Sequence, residues 1–332
     1  MLYYLKSPST DPYFNLALEQ YVFDRLDRRH SYLMLWQNDN TIVVGKYQNT
    51  YREINREFVD SHGIRVVRRL SGGGTVYHDL GNLNYTIITD AGDLGEIRFD
   101  QFCRPIVELL QGLGVPAELQ GRNDMTAAGR KFSGNAQYVK QGRVMHHGTL
   151  MFSSDLSVLG SALQVSKDKI ESKGIASVRS RVCNLGEYLP AGYGIPEFER
   201  DLVEKLGRSQ PGGLLPYVLD DQALAEVQAL RDEVYARWDW NYGRSPACSI
   251  CKERRIPGVG KLEIYLELES GRIKELHFRG DYFSAADPEE LSARLLGCPL
   301  DREALEKTLA DTDVAAYFRN LNRETLVDLL LQ

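Results

Sequence analysis

The run RRLSGGGTVYHDLGN, residues 68–82, constrains this chain more than any other stretch. Three consecutive glycines after a β-like run let the backbone enter φ > 0 regions and approach another group closely. The turn therefore suits either an anion cradle built from exposed N–H groups or a tight structural hairpin. Arg68 and Arg69 add charge-assisted donors beside it, and Thr75 to His78 resume an extended pattern that would form a far wall. Ser71 is read as a hydrogen-bonding partner or a turn residue. His78 and Asp79 are neighbours in an extended stretch and so point to opposite faces, which argues against a direct acid–base dyad. Asp79 and Asn82 are better read as turn formers.

The segments around this run alternate between helical and strand signals. Asp11 followed by Pro12 is an N-cap with proline at the first helical position, and Phe14, Leu18, Tyr21, Val22 and Leu26 then recur at helical spacing. Tyr32 to Trp36 and Thr41 to Gly45 read as strands, with Trp36 as core. Tyr51 to His62 reads as one helix closed by Gly63, feeding the strand Ile64 to Leu70. Leu83 to Thr89 is a strand and Phe99 to Leu113 an amphipathic helix. Gln137 to Lys140 pairs with Arg143 to Phe152 across Gln141-Gly142, which puts His146 and His147 on alternate faces. Helices are expected over Leu156 to Leu163, Ile195 to Leu206 and Asp220 to Tyr235.

Residues Gly243 to Pro246 form the best boundary, dividing the chain into 1–245 and 246–332 with a hinge between. Beyond it, Lys261 to Glu267 alternates apolar and polar residues, and Ser270-Gly271 turns into a partner strand, Ile273 to Arg279. Helices follow from about Pro288, Arg302 and Val314.

A length of 332 residues suits one large and one smaller domain. A net charge of −6 argues against a general nucleic-acid binder. No apolar run is long enough for a membrane span, and polar Ser7 to Asp11 stand where a signal peptide would carry its apolar core. The five cysteines read as cytosolic thiols rather than a disulfide framework, giving a cytoplasmic expectation. Cys248 and Cys251 make one Cys-x-x-Cys without the second pair that structural zinc needs.

Taken together, residues 68–82, GRNDMTAAGRKFSGNA at 121–136 and KGIASVRSRVCNL at 173–185 resemble, in order and spacing, the signature segments of the lipoate-protein ligase family. The resemblance runs from the N-terminal helix into the C-terminal region. It implies an α+β fold: a large catalytic domain of mixed, largely antiparallel sheet flanked by helices, related to biotin ligases and class II synthetases, with a small accessory domain. It implies an ATP-dependent ligase that makes lipoyl-AMP and pyrophosphate, then transfers the lipoyl group to a lysine amine. Implied acceptors are lipoyl domains of 2-oxoacid dehydrogenases and the glycine-cleavage H protein. Magnesium is implied with ATP, and no residue is assigned to it.

By the same resemblance Lys131 is catalytic, reaching both the adenylate phosphate and the acyl carbonyl, where its ammonium would stabilise developing charge. Arg69, Gly74, Thr75, Val76, Tyr77, Asn123 and Asp124 would join it in holding the adenylate. Ser71, Gly73, His147 and Gly148 would join it around lipoate. Lys173, Ser177, Val178, Arg179 and Arg181 would form a loop covering the adenylate. The alternative within the superfamily is an ATP-independent octanoyl- or lipoyl-transferase, which needs a nucleophilic cysteine near the lysine. No cysteine lies between Cys103 and Cys183. A biotin ligase would need a different phosphate loop, and a non-catalytic lipoate-binding protein would dispense with Lys131 or the glycines.

Overall fold

The computed structural model describes residues 1–90, 99–121, 123–163, 181–208, 212–243 and 250–332. Its strands, in chain order, are β1 (Leu2–Lys6), β2 (Ser31–Trp36), β3 (Thr41–Val44), β4 (Arg65–Arg68), β5 (Val76–His78), β6 (Asn82–Asp90) and β7 (Ala117–Gln120). They continue with β8 (Asp124–Ala127), β9 (Arg130–Lys140), β10 (Arg143–Met151), β11 (Leu214–Pro216), β12 (Ile250–Ile256), β13 (Gly260–Glu269) and β14 (Arg272–Gly280).

Among the described residues, eight strands form one mixed sheet in the order β11-β1-β2-β6-β10-β9-β8-β7. Its β1 pairs are parallel, while β2, β6, β10, β9, β8 and β7 run antiparallel in succession. A three-stranded sheet, β4-β3-β5, carries the arginine pair into the glycine turn. A third, antiparallel sheet, β12-β13-β14, has its own apolar core with the C-terminal helices. The fold is thus a mixed sheet with flanking helices and a small C-terminal antiparallel unit.

Helix α1 (Pro12–Arg25) starts as its sequence dictates, with Asp11 accepting from the Tyr13 N–H and Pro12 in the first turn. The stretch read as one helix over 51–62 is two, α2 (Thr50–Glu53) and α3 (Arg56–Ser61). Ile54 leaves the helix to bridge Leu163, and Asn55 caps the second piece through the Phe58 N–H. The last expected helix is likewise split, because Asn322 caps a fresh start at Arg323. Strands β1, β7, β8 and β12 are short or polar enough to escape period-two reading.

Arg68 shows why the two arginines differ. It is fully buried and holds backbone rather than ligand. Its guanidinium donates to the carbonyls of Gly45 (2.8 Å), Gln48 (2.7 Å), Trp240 (3.0 Å) and Asn241 (3.1 Å), and to Thr50 Oγ1 (2.6 Å). The loop after β3 and the Trp238–Asn241 helix are therefore tied to the root of the glycine turn through one cation. Arg68→Met leaves these carbonyls buried without donors and is expected to cost about 3–5 kcal/mol in chemical denaturation. A midpoint within error of the parent would show that the carbonyls find other partners.

Candidate active site

A cavity of about 290 Å³ lies between the large sheet and the β4-β3-β5 sheet. One wall follows the register of the large sheet. Trp36 pairs with Asn84, Asn84 with Thr149, and Asp124 with Gly134, while the Thr149 hydroxyl accepts from the Gly134 N–H. These residues form a row across β2, β6, β10, β9 and β8, and all of them line the cavity. The opposite wall is Val43 on β3 with Val76 and His78 on β5, all on one face because alternate strand residues point the same way. Tyr77 turns away, its hydroxyl donating to Asn40.

The walls are joined by a directed chain of hydrogen bonds. Glu19 on α1 is 2% exposed, and its carboxylate can only accept. It takes the Thr86 hydroxyl and, at 3.0 Å, Nδ1 of His147, so the His147 proton sits on Nδ1. Nε2 of His147 lies in hydrogen-bond contact with the Ser71 hydroxyl at 2.7 Å, and Ser71 Oγ accepts from Arg69 Nε at 2.9 Å. At the other end Trp36 Nε1 donates to Thr86 at 2.9 Å. Ser71 is thus a link behind the surface, while Arg69 and His147 line the cavity. Burial, opposed by the Glu19 charge, pushes Arg69 down to about 10.

Arg69 also shapes the glycine turn, donating to the carbonyls of Gly72 (2.7 Å) and Gly74 (2.8 Å). The three glycines have separate tasks. A Cβ on Gly72 would sit 2.4 Å from the Tyr282 carbonyl, so that position admits the C-terminal unit. Gly73, at φ +87°, donates its N–H to the same carbonyl at 3.1 Å. A Cβ on Gly74 would make only an ordinary 3.9 Å contact with Asp281, and Gly74 lines the cavity with Thr75 next to it. Asp281 reaches the cavity from the C-terminal side.

Lys131 stands where the cavity begins to open, paired with Asp124 at 2.7 Å, both a little over one-third exposed. Its ammonium lies over Gly134, where a Cβ would meet Nζ at 3.0 Å. Asn123 braces this end, its amide donating to the Asn135 carbonyl at 2.6 Å and its own carbonyl accepting from the Asn135 N–H. Gly148 gives room to Asn135 and the Tyr85 ring. Of the expected covering loop, Lys173, Ser177, Val178 and Arg179 lie outside the described residues. Arg181 is half-buried, next to Val182, which bridges Lys131.

Sequence reasoning missed several cavity residues, Leu16 on α1, Trp36, His78 and Asn84, and with them Glu19, which stands behind His147. A signal for Asn84 exists, since Asn82, Asn84 and Thr86 put polar groups on one face of an otherwise apolar strand. Glu19 is an acid on the buried face of a helix, which asks for a partner. His146 faces the other side of β10 from His147, stacked on Phe102 at 4.8 Å, with burial pushing its pKa well down.

Residues 11–207 match the lipoyl protein ligase A/B catalytic domain, and residues 245–330 match the bacterial lipoate protein ligase C-terminus. The chain is 43% identical to the lipoate-protein ligase LplJ of Bacillus subtilis over 99% of this chain and 100% of that one. It is 41% identical to lipoate–protein ligase 1 of Staphylococcus aureus over 97% of each. Among solved structures, P. falciparum LipL1 in complex with lipoate superposes with TM-score 0.83 at 23% identity, covering 100% of both chains. A lipoate-protein ligase A bound with ATP superposes with TM-score 0.62 at 22% identity, covering 73% of this chain and 98% of that one. At these identities the two structures speak for the fold.

The different tasks of the glycines are separable by substitution. Gly72→Ala is expected to lower stability by about 1–3 kcal/mol through overpacking against Tyr282. Gly74→Ala is expected to melt like the parent yet bind ATP several-fold more weakly. Melting curves and titration calorimetry on both variants check this, and ATP binding unchanged in Gly74→Ala would remove the turn from the ligand site.

Proposed function

This chain belongs to the family of lipoyl and lipoate protein ligases, and from that premise we propose that it activates lipoate with ATP and lipoylates a protein lysine. In the first half-reaction a lipoate carboxylate oxygen attacks the α-phosphorus of ATP, forming lipoyl-AMP and releasing pyrophosphate. In the second, the acceptor amine attacks the carbonyl carbon, AMP leaves, and an amide remains. The acceptors in this reading are lipoyl domains of 2-oxoacid dehydrogenases and the glycine-cleavage H protein, met in the cytoplasm. Magnesium enters with the ATP phosphates as part of the substrate. The reading also divides the chain into a catalytic domain, 1–245, and an accessory domain, 246–332.

The observation that carries it is the placement of Lys131 where the polar, open end of the cavity meets its buried, apolar end. Both steps gather negative charge at that junction, on the phosphate and then on the carbonyl oxygen, and a fixed ammonium in a partly dry site stabilises each. Asp124 holds the ammonium in place before ligand arrives. In this assignment Asn123, Asp124, Arg69 and the stretch Gly74 to Val76 border the adenylate, and Tyr77, which turns away from the cavity, does not. His147, Gly148, Ser71 and Gly73 belong to the acyl side, and Lys173, Ser177, Val178, Arg179 and Arg181 to a cover over the adenylate.

The cysteine-dependent transferase finds less support. Among the described residues no cysteine lines the cavity. Cys103 is buried and its thiol is pushed up to about 12 by burial, and Cys183 is also raised, both away from the thiolate a nucleophile requires.

Lys131→Ala is expected to lower ATP–pyrophosphate exchange with lipoate by roughly 10²–10³-fold, the cost of one preorganised charge stabiliser, while melting normally. Lys131→Arg should recover little, since a planar guanidinium does not reproduce a compact ammonium. Near-normal exchange in the alanine variant would take Lys131 out of the chemistry. Replacing Cys103, Cys183, Cys248, Cys251 and Cys298 together by serine or alanine should leave ATP-dependent lipoylation largely intact in protein that folds. Loss of activity with one particular cysteine, and an acyl-enzyme in the parent's intact mass, would favour the transferase instead.

A further inference from the structure

Behind the floor of the cavity, where the large sheet meets its apolar core, lies a line of polar groups that no step of the reaction uses. Tyr85 on β6, Asn135 on β9 and His146 on β10 are 0%, 3% and 0% exposed, and Tyr85 belongs to the core that also holds Leu83, Ile106, Met125 and Phe132. The carbonyl of Asn123 accepts from the Asn135 N–H at 2.9 Å and from Asn135 Nδ2 at 3.1 Å. A carbonyl oxygen only accepts, so the Asn135 amide turns its nitrogen to Asn123 and its oxygen to Tyr85, whose hydroxyl donates to it. With its one proton spent there, the Tyr85 oxygen is left to accept from His146 Nε2 at 3.1 Å. Burial, and then the neighbouring His147, hold the pKa of that ring well down, so it is neutral, and its Nδ1 meets the Gln137 amide nitrogen at 2.9 Å. Gly148, the register partner of both Tyr85 and Asn135, leaves the passage for their bond. A Cβ there would lie 2.1 Å from Asn135 Oδ1 and 2.6 Å from the Tyr85 ring.

We propose that Tyr85 is a positioning residue for the activation step: through Asn135 its hydroxyl fixes the Asn123 carbonyl, and so the Asp124 carboxylate that aims the Lys131 ammonium. This rests on the ligase reading above. The carbonyl that Asn135 holds belongs to the peptide leading into Asp124, and a peptide plane is rigid, so fixing its oxygen places the Asp124 Cα. Asp124 meets Lys131 Nζ at 2.7 Å and pairs in register with Gly134, over which the ammonium lies. Asn123 Nδ2 closes the corner on the Asn135 carbonyl at 2.6 Å. A phenyl ring would fill the same space as Tyr85, and a buried hydroxyl costs free energy unless its bonds are made. What the hydroxyl adds is direction. An ammonium out of line loses charge stabilisation in the transition state more than it loses affinity for the ground state.

Lipoate-dependent ATP–pyrophosphate exchange is measured on the parent, Tyr85→Phe, Asn135→Ala, Lys131→Ala and the double variant Tyr85→Phe/Lys131→Ala, well below their melting temperatures. Tyr85→Phe is expected to lower kcat roughly tenfold, with KM for lipoate and for ATP within about twofold of the parent. Asn135→Ala removes the link while leaving Tyr85 in place, should lose a comparable factor, and carries the test if Tyr85→Phe does not fold. In the Lys131→Ala background the Tyr85 substitution should cost nothing further, because no ammonium is left to aim. A hydroxyl that only supports the fold would lower the melting temperature and leave kcat alone; that result overturns the proposal, as does a loss of the same size without Lys131. The geometry is also read without turnover, by competitive acetylation followed by peptide mass spectrometry. Lys131 should label about two- to fivefold faster in Tyr85→Phe than in the parent, the weight of one part-exposed ion pair. Equal labelling overturns the positioning role whether or not exchange is seen. A parent that exchanges no pyrophosphate, while Lys131 labelling differs between the two proteins as expected, sinks the ligase reading and keeps this one.

Discussion

The buried Glu19 carboxylate sets both walls of the cavity. An anion with 2% exposure persists only where donors replace its water, and Thr86 and His147 supply them from the floor of the large sheet. Glu19 meets Nδ1 of His147, Nε2 of His147 meets the Ser71 hydroxyl, and Arg69 donates to Ser71 and to the glycine turn. One acid on a helix is thereby linked through an imidazole and a hydroxyl to a guanidinium, and through them to a loop on the opposite wall. The same acid steadies Trp36 through Thr86. The cavity is thus shaped before ligand binds, and binding energy need not be spent on ordering it.

The cavity has two chemically distinct ends because two sheets meet at unequal depth. Where β2, β3 and β5 face each other the surfaces are apolar and closed; toward β8 and β9 they are polar and open. Lys131 stands between, and the C-terminal unit closes over the glycine turn through Tyr282 and brings Asp281 to the edge. Tyr47 stacked on Tyr282 at 5.0 Å, and Gly280 donating to the Tyr47 carbonyl, add a second tie between that unit and the loop after β3. Substitutions in the first two glycines therefore act on packing as well as on ligand.

Much of this was legible in the sequence. The run at 68–82 marked the turn, Asp11-Pro12 the start of α1, Gln141-Gly142 the β9–β10 hairpin, and alternation placed His146 and His147 on opposite faces. The division of labour between Arg68 and Arg69 was hidden, because adjacent charged residues look alike until a fold buries one among carbonyls and brings the other to a cavity. Trp36 was read as core, and it is buried, but burial against a cavity and burial in a core leave the same composition. His78 escaped because the argument against pairing it with Asp79 was sound and left its own face unasked. Glu19 and Asn84 needed contacts across the fold, Glu19 to residues 86 and 147, Asn84 to residue 36, that no local pattern carries.

The central claim is that lipoate is activated by its own carboxylate attacking ATP at the junction guarded by Lys131. Lipoate labelled with 18O in both carboxylate oxygens tests it most directly. After transfer to an acceptor lysine, the bridging oxygen of the mixed anhydride must depart with the phosphate, so AMP recovered from the reaction should carry one 18O per lipoyl group transferred. Unlabelled AMP alongside a lipoylated acceptor would contradict the account.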